Sequence, residues 1–270
     1  MYHLIQICPK VCILTFLQYP NHVASEHPLD LPETTLIHAR KIVSKAFLKR
    51  WYIHSYTIFT QTLKHCPPGI KLEIGSGGGF FKIHYPEIKT SDILTLPDLD
   101  FQLDAQQLPF QNRSLAGIVM LNVFHHIPNP GLFLNEANRC LKVHGKLCMI
   151  EPANTWFSRF IYKRFHHEPF DEKGPLQIAA GRPLSHSNQA LAYIYFIREK
   201  KRLSEFCPQL KITKINYYSP LGYLISGGLS KPALLPSFMF PVIRFLEFLL
   251  TPLHKYLALF YIIELEAVNT

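Results

Sequence analysis

Charged residues are scarce in this chain of 270 residues: Asp, Glu, Lys and Arg make up only 17%, whereas 48% of the residues are hydrophobic. That balance excludes a chain that stays disordered because it carries much charge and little apolar surface. The six cysteines include no C-x-x-C pair and form no dense framework. They therefore fit reduced thiols in a cytosolic protein.

Long uninterrupted hydrophobic runs are also missing. Met1–Pro20 is apolar, but Pro9, Lys10 and Pro20 interrupt it, and it has neither a basic start nor a clear small-residue cleavage site. Because a membrane span needs ~20 apolar residues, this segment is predicted to be neither a span nor a secretory signal. We expect a cytoplasmic protein, with peripheral contact to a membrane as an open alternative.

The net charge is +9, from 28 Lys and Arg against 19 Asp and Glu, but the basic residues are spread along the chain with only brief clusters such as 198–202. Spread charge does not form the basic stripe of a nucleic-acid-binding protein, so no nucleic-acid partner is expected. An anionic cofactor, substrate or membrane surface would also account for the basic balance.

Short apolar runs alternate with helical patterns through most of the chain, an order typical of a parallel sheet wrapped by helices. Strands are predicted at 70–74, 88–92, 99–103, 115–121, 146–151, 210–217 and 258–266, and helices at 80–85, 131–141, 155–165 and 187–206, after one or two helices that begin at residue 33. We divide the chain into an N-terminal extension (1–32), a core (33–218), an apolar lid or insertion (219–257) and a final strand of the same core (258–270).

A glycine-rich turn, Gly75-Ser76-Gly77-Gly78-Gly79, follows the first predicted strand. Such a turn lets the backbone pass close to a ligand, and the next helix offers free amides at its N-terminus. The dinucleotide fingerprint G-x-G-x-x-G fails because Phe80 stands at its third glycine, and no Gly-Lys-Ser/Thr follows as a Walker loop requires. A plain tight turn is the alternative, which five small residues at a strand-to-helix junction disfavour.

The pattern Glu73-x-Gly75-x-Gly77-x-Gly79 resembles the first motif of the class I S-adenosylmethionine-dependent methyltransferases, and segments within 70–151 are similar to further motifs of that family in the same order. These segments are Asp92 at the end of the second strand, Asp104-Ala105 with Leu108-Pro109-Phe110, Leu121–Ile127, and Asn135–Gly145, which resembles the family's E-x-x-R-x-L-K-P-G-G helix and turn although Val143-His144 replaces its proline and glycine. Quinone-biosynthesis C-methyltransferases are similar in pattern.

The resemblance implies an α/β fold: a Rossmann-like methyltransferase sheet, mostly parallel with an antiparallel final strand, and helices on both faces. It also implies S-adenosylmethionine as cofactor, with Asp92 accepting hydrogen bonds from its ribose hydroxyls. The implied cofactor-binding residues are Glu73, Gly75, Ser76, Gly77, Gly79, Asp92, Asp104, Ala105 and Asn122. Taken alone, Asp92 or Asp104 could equally be a cap or a turn residue.

Two pairs of histidines are candidates for the acceptor side. His125 and His126 follow the fourth strand, where this fold places an acceptor pocket, and they are predicted to bind substrate, with packing as the equal alternative. His166 or His167, beside Glu168, is predicted to act as a general base because imidazole titrates near neutral pH; a polar loop with a structural role is the alternative. No metal site is predicted, since this segment lacks the second histidine of H-E-x-x-H, although metal binding by its histidines and carboxylates is an alternative.

The predicted function is methyl transfer to an oxygen or carbon of a small-molecule or lipid-like acceptor. A lipophilic or membrane-presented acceptor is expected because Ala233–Leu250 is very apolar, while Arg244 and Glu247 disfavour a span and favour an interfacial helix or lid. Core packing of the same aromatic residues is the competing interpretation. The alternative function is a non-catalytic cofactor-binding protein or a membrane-associated scaffold with a methyltransferase fold.

Overall fold

A computed structural model describes residues 30–182 and 184–269 of the chain. The predictions for Met1–Pro20, for the thiols of Cys8 and Cys12 and for most of the N-terminal extension lie outside these residues. Cys66, Cys140, Cys148 and Cys207 are all free thiols.

Seven strands form one sheet in the order β3-β2-β1-β4-β5-β7-β6. Strand β7 runs antiparallel to both of its neighbours, β5 and β6, whereas the pairs β1–β2, β1–β4, β2–β3 and β4–β5 are parallel. The strands are β1 Ile70–Ile74, β2 Ile88–Asp92, β3 Phe101–Gln102, β4 Leu115–Leu121, β5 Leu141–Pro152, β6 Leu210–Tyr218 and β7 Phe260–Ala267. The predicted Rossmann-like sheet with an antiparallel final strand is confirmed.

Helices surround this sheet, and local sequence explains where several of them begin. Asn129 caps one helix by accepting from Leu132 N, with Pro130 next in the chain, and Thr155 forms a capping box with Ser158 at another. The helices are α1 Pro32–Ser44, α2 Ala46–Lys64, α3 Phe81–His84, α4 Pro130–Cys140, α5 Trp156–Phe165, α6 Leu191–Tyr193, α7 Lys200–Phe206, α8 Gly222–Ser226, α9 Phe240–Leu249 and α10 His254–Leu257.

Three predicted elements differ in extent. The third strand pairs only over Phe101–Gln102, and β5 begins at Leu141, earlier than expected, because its first residue already pairs with Leu115 of β4. The predicted helix 187–206 begins at Leu191 and is divided by a π-helical turn, Ile194–Arg198. It starts late because the Asn188 side chain folds back, accepting from Asp171 N and Ala190 N.

The strand order brings the carboxyl ends of β1 and β4 together. The chain runs from β1 outward through β2 to β3, then crosses back to β4 on the other side of β1. In such sheets this reversal opens a crevice beyond the strand ends, where ligands bind. On one face, α2 packs on β4 and β5 with Trp51 and Phe59 fully buried. The strands that form the crevice are therefore supported by a packed helix.

The segment between β6 and β7, residues 219–259, carries helices α8 to α10. It is tied to the core where it begins, because Trp51 Nε1 of α2 donates to Ser219 Oγ at 2.8 Å. Among the described residues, no helix is both long and apolar enough to cross a bilayer.

Candidate active site

The glycine turn after β1 passes close to two other parts of the chain. Gly75 has φ +66°, and a Cβ placed there would lie 2.4 Å from Val123 Cγ2 in the turn after β4. A Cβ on Gly78 would lie 2.6 Å from the Cα of Ala39 in α1. Glycine is therefore required at both positions, by conformation and space at Gly75 and by space at Gly78.

Two buried carboxylates hold this turn. Asp92 Oδ2 at the end of β2 accepts from Gly77 N at 2.9 Å, and its Oδ1 accepts from Leu94 N at 2.9 Å. Glu73 Oε2 accepts from Ser76 Oγ at 2.8 Å. Burial, together with the charge of Asp92, raises the pKa of Glu73 to about 7, and burial also raises the pKa of Asp92. A cationic ligand bound beside these two acids would favour their ionised form.

Asn122, the first residue after β4, adopts a left-handed conformation with φ +56°. Asn tolerates this region better than most residues. Its backbone N donates to Ile150 O at 2.9 Å, while its side-chain Oδ1 is buried and has no hydrogen-bond partner among the described residues. A buried acceptor of this kind fits a ligand that brings its own donor.

The Asp104-Ala105 segment forms the opposite wall, where Asp104 Oδ1 accepts from Gln106 N at 2.8 Å. The chain that follows is held by α4: Arg139 donates to the carbonyls of Leu108 and Phe110, and Glu136 accepts from Leu108 N at 2.8 Å. The Glu-x-x-Arg pair of the sequence pattern therefore braces the wall from outside and lies away from the ligand space.

One cavity of about 890 Å³ joins these elements to the histidines. All of the predicted site residues line it: Glu73, Gly75, Ser76, Gly77, Gly79, Asp92, Asp104, Ala105, Asn122, His125, His126, His166 and His167. We call the part around Gly75–Gly79, Asp92 and Asp104 the cofactor end, and the part around the histidines the acceptor end. The volume is near the top of the range of about 300–1,000 Å³ for small-molecule sites.

His125 lies at the acceptor end between two carboxylates. Its Nδ1 is 2.6 Å from Glu151 Oε2 and its Nε2 is 3.3 Å from Glu168 Oε2. Burial lowers the pKa of His125, but the two carboxylates outweigh it and raise the value to about 10. Glu151 also accepts from the backbone N of Val123 and of Phe124 through its Oε1, so the turn after β4 is fixed to the end of β5.

The other three histidines differ in their surroundings. Burial and the charge of His125 lower the pKa of His126 to about 3, and burial lowers that of His166. Gln189 Nε2 donates to His166 Nδ1 at 2.7 Å and to Glu168 Oε2 at 3.0 Å. His167 is exposed, stacks on His166 with 4.8 Å between ring centroids, and has its Nε2 3.7 Å from Glu168 Oε1. A single carboxylate, Glu168, therefore lies beside His125, His126 and His167, and Gln189 connects it to His166.

Sequence reasoning assigned no role in the site to several residues that line the cavity. Thr35, His38, Tyr52 and Tyr56 come from the two helices before the sheet, Tyr162 from α5, Gln189 from the loop before α6, and Tyr223 and Lys231 from the 219–257 segment. No local motif marks them, because each is placed by the packing of a separate element. The only signal in the sequence is the helical spacing of Tyr52 and Tyr56, which places both side chains on one face of α2.

Comparison with known proteins agrees with this geometry. Residues 72–149 match a family described as "Methyltransferase domain". Among solved structures, the geranyl diphosphate C-methyltransferase from Streptomyces coelicolor A3(2), solved with Mg²⁺, geranyl diphosphate and S-adenosyl-L-homocysteine, is 13% identical over 94% of this chain and 87% of its own, with a TM-score of 0.50. A chain from the complex containing the Haloferax volcanii Trm112 methyltransferase activator is 12% identical over 86% of this chain and 95% of its own, with a TM-score of 0.47. No protein with a curated description matches the sequence.

At 13% identity, the likeness to the Streptomyces coelicolor enzyme shows the fold alone. The domain match, the fold and the ordered motifs together identify residues 72–149 as a methyltransferase domain, and the sequence motifs imply S-adenosylmethionine as its cofactor. The residues present fit that cofactor: a glycine turn that lets a ligand approach the backbone, two buried acids beside it, and Asn122 Oδ1, which has no partner among the described residues.

Proposed function

We propose that this S-adenosylmethionine-dependent methyltransferase methylates a hydroxyl or an acidic carbon of a lipophilic small molecule that it takes from an anionic membrane surface. The observation that carries the proposal is the continuity of the cavity with an exposed apolar surface. Phe165, Lys231 and Leu234 line the cavity and are themselves exposed at its rim.

The cofactor end is proposed to hold the donor through the residues named from the sequence. Asp92 would accept from the ribose hydroxyls, the Gly75–Gly79 turn and Glu73 would face the amino-acid part, and Asp104-Ala105 would lie beside the adenine. When bound, the cofactor supplies a methyl group that its sulfonium has already made electrophilic. The protein's task is then to align the acceptor and to exclude water.

The acceptor end combines apolar walls with a few polar groups. Ile161, Tyr162, Leu224 and Leu229 offer the apolar lining, and the histidines around Glu168 offer the polar part. Small-molecule sites commonly pair a mostly apolar wall with a few polar groups that fix orientation. An acceptor with an apolar body and one hydroxyl or acidic C–H matches this lining.

His167 is proposed to be the general base. Because the amide of Gln189 can only donate, His166 Nδ1 must accept, which leaves the proton of a neutral His166 on Nε2 and makes that ring a donor. Among the described residues His167 forms no such hydrogen bond, and its Nε2 lies 3.7 Å from a carboxylate oxygen of Glu168. Of the two histidines predicted as bases, His167 is therefore the one free to take a proton from the acceptor.

Helix α9 supports delivery from a membrane because it is amphipathic with its apolar side outward. We define its apolar face as Val242, Phe245, Phe248 and Leu249, all exposed, with Phe248 71% accessible. Its two charged residues, Arg244 and Glu247, lie on the other side of the helix and form an ion pair. Glu247 is 2% exposed and accepts from the backbone N of Leu221 and of Gly222. Large contiguous apolar surfaces are rare on soluble monomers and mark interaction sites.

The surroundings of the apolar face carry positive charge, which suits anionic lipid. Arg164 lies over the Phe160 ring, Lys231 over the Phe165 ring and Lys255 over the Tyr256 ring, at 4.9–5.8 Å from the ring centroids. Helix α5, which carries Phe160 and Phe165, contacts α10, just after α9. Interleaved cations and aromatic rings are typical of helices that lie at a lipid interface.

Flotation with lipid vesicles tests the membrane part of this proposal. The protein is expected to float with phosphatidylglycerol vesicles and more weakly with phosphatidylcholine vesicles. Phe245→Ser together with Phe248→Ser should reduce flotation, whereas Ile83→Ser, which changes an equally exposed apolar residue on α3, should not. A protein that stays wholly in the soluble fraction with both vesicle types would contradict this part of the proposal.

Labelled-methyl transfer into a fractionated cell extract tests the acceptor class. Product in the organic-solvent-soluble lipid fraction is expected, and it should fall in the Phe245→Ser, Phe248→Ser variant only when the acceptor is presented in vesicles. Product confined to protein or to water-soluble pools would overturn the lipophilic assignment. Cofactor binding without turnover on any pool would favour the alternative of a non-catalytic cofactor-binding protein.

A further inference from the structure

The acceptor end contains a group of side chains with the composition of a metal site. His125, His126 and Glu168 each offer one ligand atom, and these atoms lie within 4.8 Å of one another. His125 Nε2 is 3.3 Å from Glu168 Oε2, and His126 Nε2 is 3.7 Å from Glu168 Oε1. Ligands bonded at ~2.0–2.2 Å to one tetrahedral ion lie ~3.3–3.6 Å apart, so small side-chain rotations bring these atoms to bonding distance.

Glu151 orients the first of these ligands. It is completely buried and holds His125 Nδ1 at 2.6 Å, which directs Nε2 toward Glu168 and the cavity. A carboxylate that receives the other ring N–H of a histidine is the usual partner behind a metal-bound imidazole. The polar loop around Glu168 is fixed as well, since Gln189 Nε2 donates to Glu168 Oε2 at 3.0 Å.

The charges favour a divalent ion in this position. Glu151 and Glu168 bring two carboxylates to the two ring nitrogens of His125. A divalent ion bonded to His125 Nε2 and Glu168 would place two positive charges beside these two carboxylates. His126, next in the chain, brings the second imidazole to the same cavity wall.

We propose that His125, His126 and Glu168 bind one divalent first-row transition-metal ion at the acceptor end of the cavity. Two imidazoles and one carboxylate suit zinc, iron, cobalt or nickel better than magnesium or calcium, which prefer oxygen ligands. Three protein ligands leave positions open toward the cavity. There the ion would polarise an oxygen of the acceptor as a Lewis acid.

The sequence did not reveal this site because no single segment carries it. The 166–168 segment supplies only one ligand, and the other two follow β4. The site itself does not depend on the acceptor proposed above, because its ligands are arranged by Glu151 and Gln189 without any small molecule.

Metal titration of the full chain, without cofactor or acceptor, tests the proposal. Protein treated with a chelator and then exchanged into metal-free buffer is titrated with Zn²⁺ and with Co²⁺, and bound metal per chain is measured by mass spectrometry after gel filtration. One ion per chain is expected, together with a visible absorption spectrum for the Co²⁺ form. His126→Gln and Glu168→Gln should each weaken binding at least tenfold, and Glu151→Gln about 10–100-fold.

The control is His65→Gln, which removes an exposed histidine at the end of α2 and should leave binding unchanged. The proposal is overturned if wild-type protein binds no stoichiometric Zn²⁺ or Co²⁺, or if His126→Gln binds as tightly as wild type. Should both ligand variants fail to fold, X-ray absorption of the wild-type zinc form decides: nitrogen ligation by two imidazoles supports the site, and its absence overturns it. Failure here leaves the methyltransferase proposal standing, because no step of the titration involves methyl transfer.

Discussion

The two ends of the cavity are built in different ways. The cofactor end is formed by short stretches that directly follow β1, β2 and β3, so the sheet itself places Gly75, Asp92 and Asp104 side by side. The acceptor end draws its residues from several separate parts of the chain, including the turn after β4, α5, the loop around Glu168 and the 219–257 segment. The first end depends on the geometry of strands, and the second on how distant elements pack together.

This difference predicts which substitutions affect chemistry alone. His167→Gln at the acceptor end should lower the methyl-transfer rate by about 10²–10⁴-fold, the usual contribution of a positioned base, while the cofactor dissociation constant stays unchanged. Single-turnover rates and calorimetry separate the two quantities. His166→Gln should cost several-fold less, since His166 accepts from Gln189 and serves to place the loop. A His167→Gln enzyme with the wild-type single-turnover rate would show that no base acts at this position.

A substitution in the glycine turn should show the opposite pattern. Gly75→Ala places a Cβ 2.4 Å from Val123 Cγ2 at φ +66°, and the left-handed conformation alone costs about 1–2 kcal/mol, with overpacking adding about 1–3 kcal/mol. Cofactor affinity measured by calorimetry should fall about 100-fold.

Val123→Ala provides the matched control for this prediction. The double variant Gly75→Ala, Val123→Ala removes the contacts with Val123 Cγ1 and Cγ2, leaving its Cβ at 3.2 Å, and should recover part of the affinity. If the double variant binds no better than Gly75→Ala alone, the clash with Val123 is not the cause of the loss.

The predictability of the two ends follows from the same difference. The position of Gly75–Gly79 and Asp92 on the cavity wall could be predicted because each motif is contiguous and its spacing from the strand is fixed. The link from His125 to Glu168 could not, because tertiary packing alone brings the two segments together. The run 233–250 shows the limit of hydropathy: Arg244 and Glu247 looked like interruptions of an apolar segment, whereas the structure buries Glu247 and exposes Phe245 and Phe248.

Glu247→Ala tests whether the insertion depends on that buried carboxylate. The change leaves the backbone N of Leu221 and of Gly222 without an acceptor and removes the partner of Arg244. We expect a loss of about 2–4 kcal/mol in the free energy of unfolding, measured with denaturant. Glu266→Ala, which breaks a partly exposed pair with His144, should cost less than about 1 kcal/mol. Equal losses in the two variants would show that Glu247 does not anchor α9.

The smallest expected effect concerns pH at the cofactor end, where the pKa of Glu73 is raised to about 7 by burial, with Asp92 adding to it. Between the ordinary pKa of Glu, about 4.3, and pH 7, Glu73 therefore keeps its proton in the folded, cofactor-free protein, whereas the unfolded chain has released it. The free energy of unfolding then falls as pH rises through this window. A cationic cofactor favours the carboxylate and must displace that proton. Binding should thus be about tenfold weaker at pH 6 than at pH 7.5, and calorimetry in buffers of different ionisation enthalpy should detect proton release near pH 6.

Glu73→Gln removes the titrating group while keeping an acceptor for Ser76 Oγ, so its affinity should vary less with pH. Equal pH dependence in wild type and Glu73→Gln would assign the effect to another group, because only the wild type carries the acid.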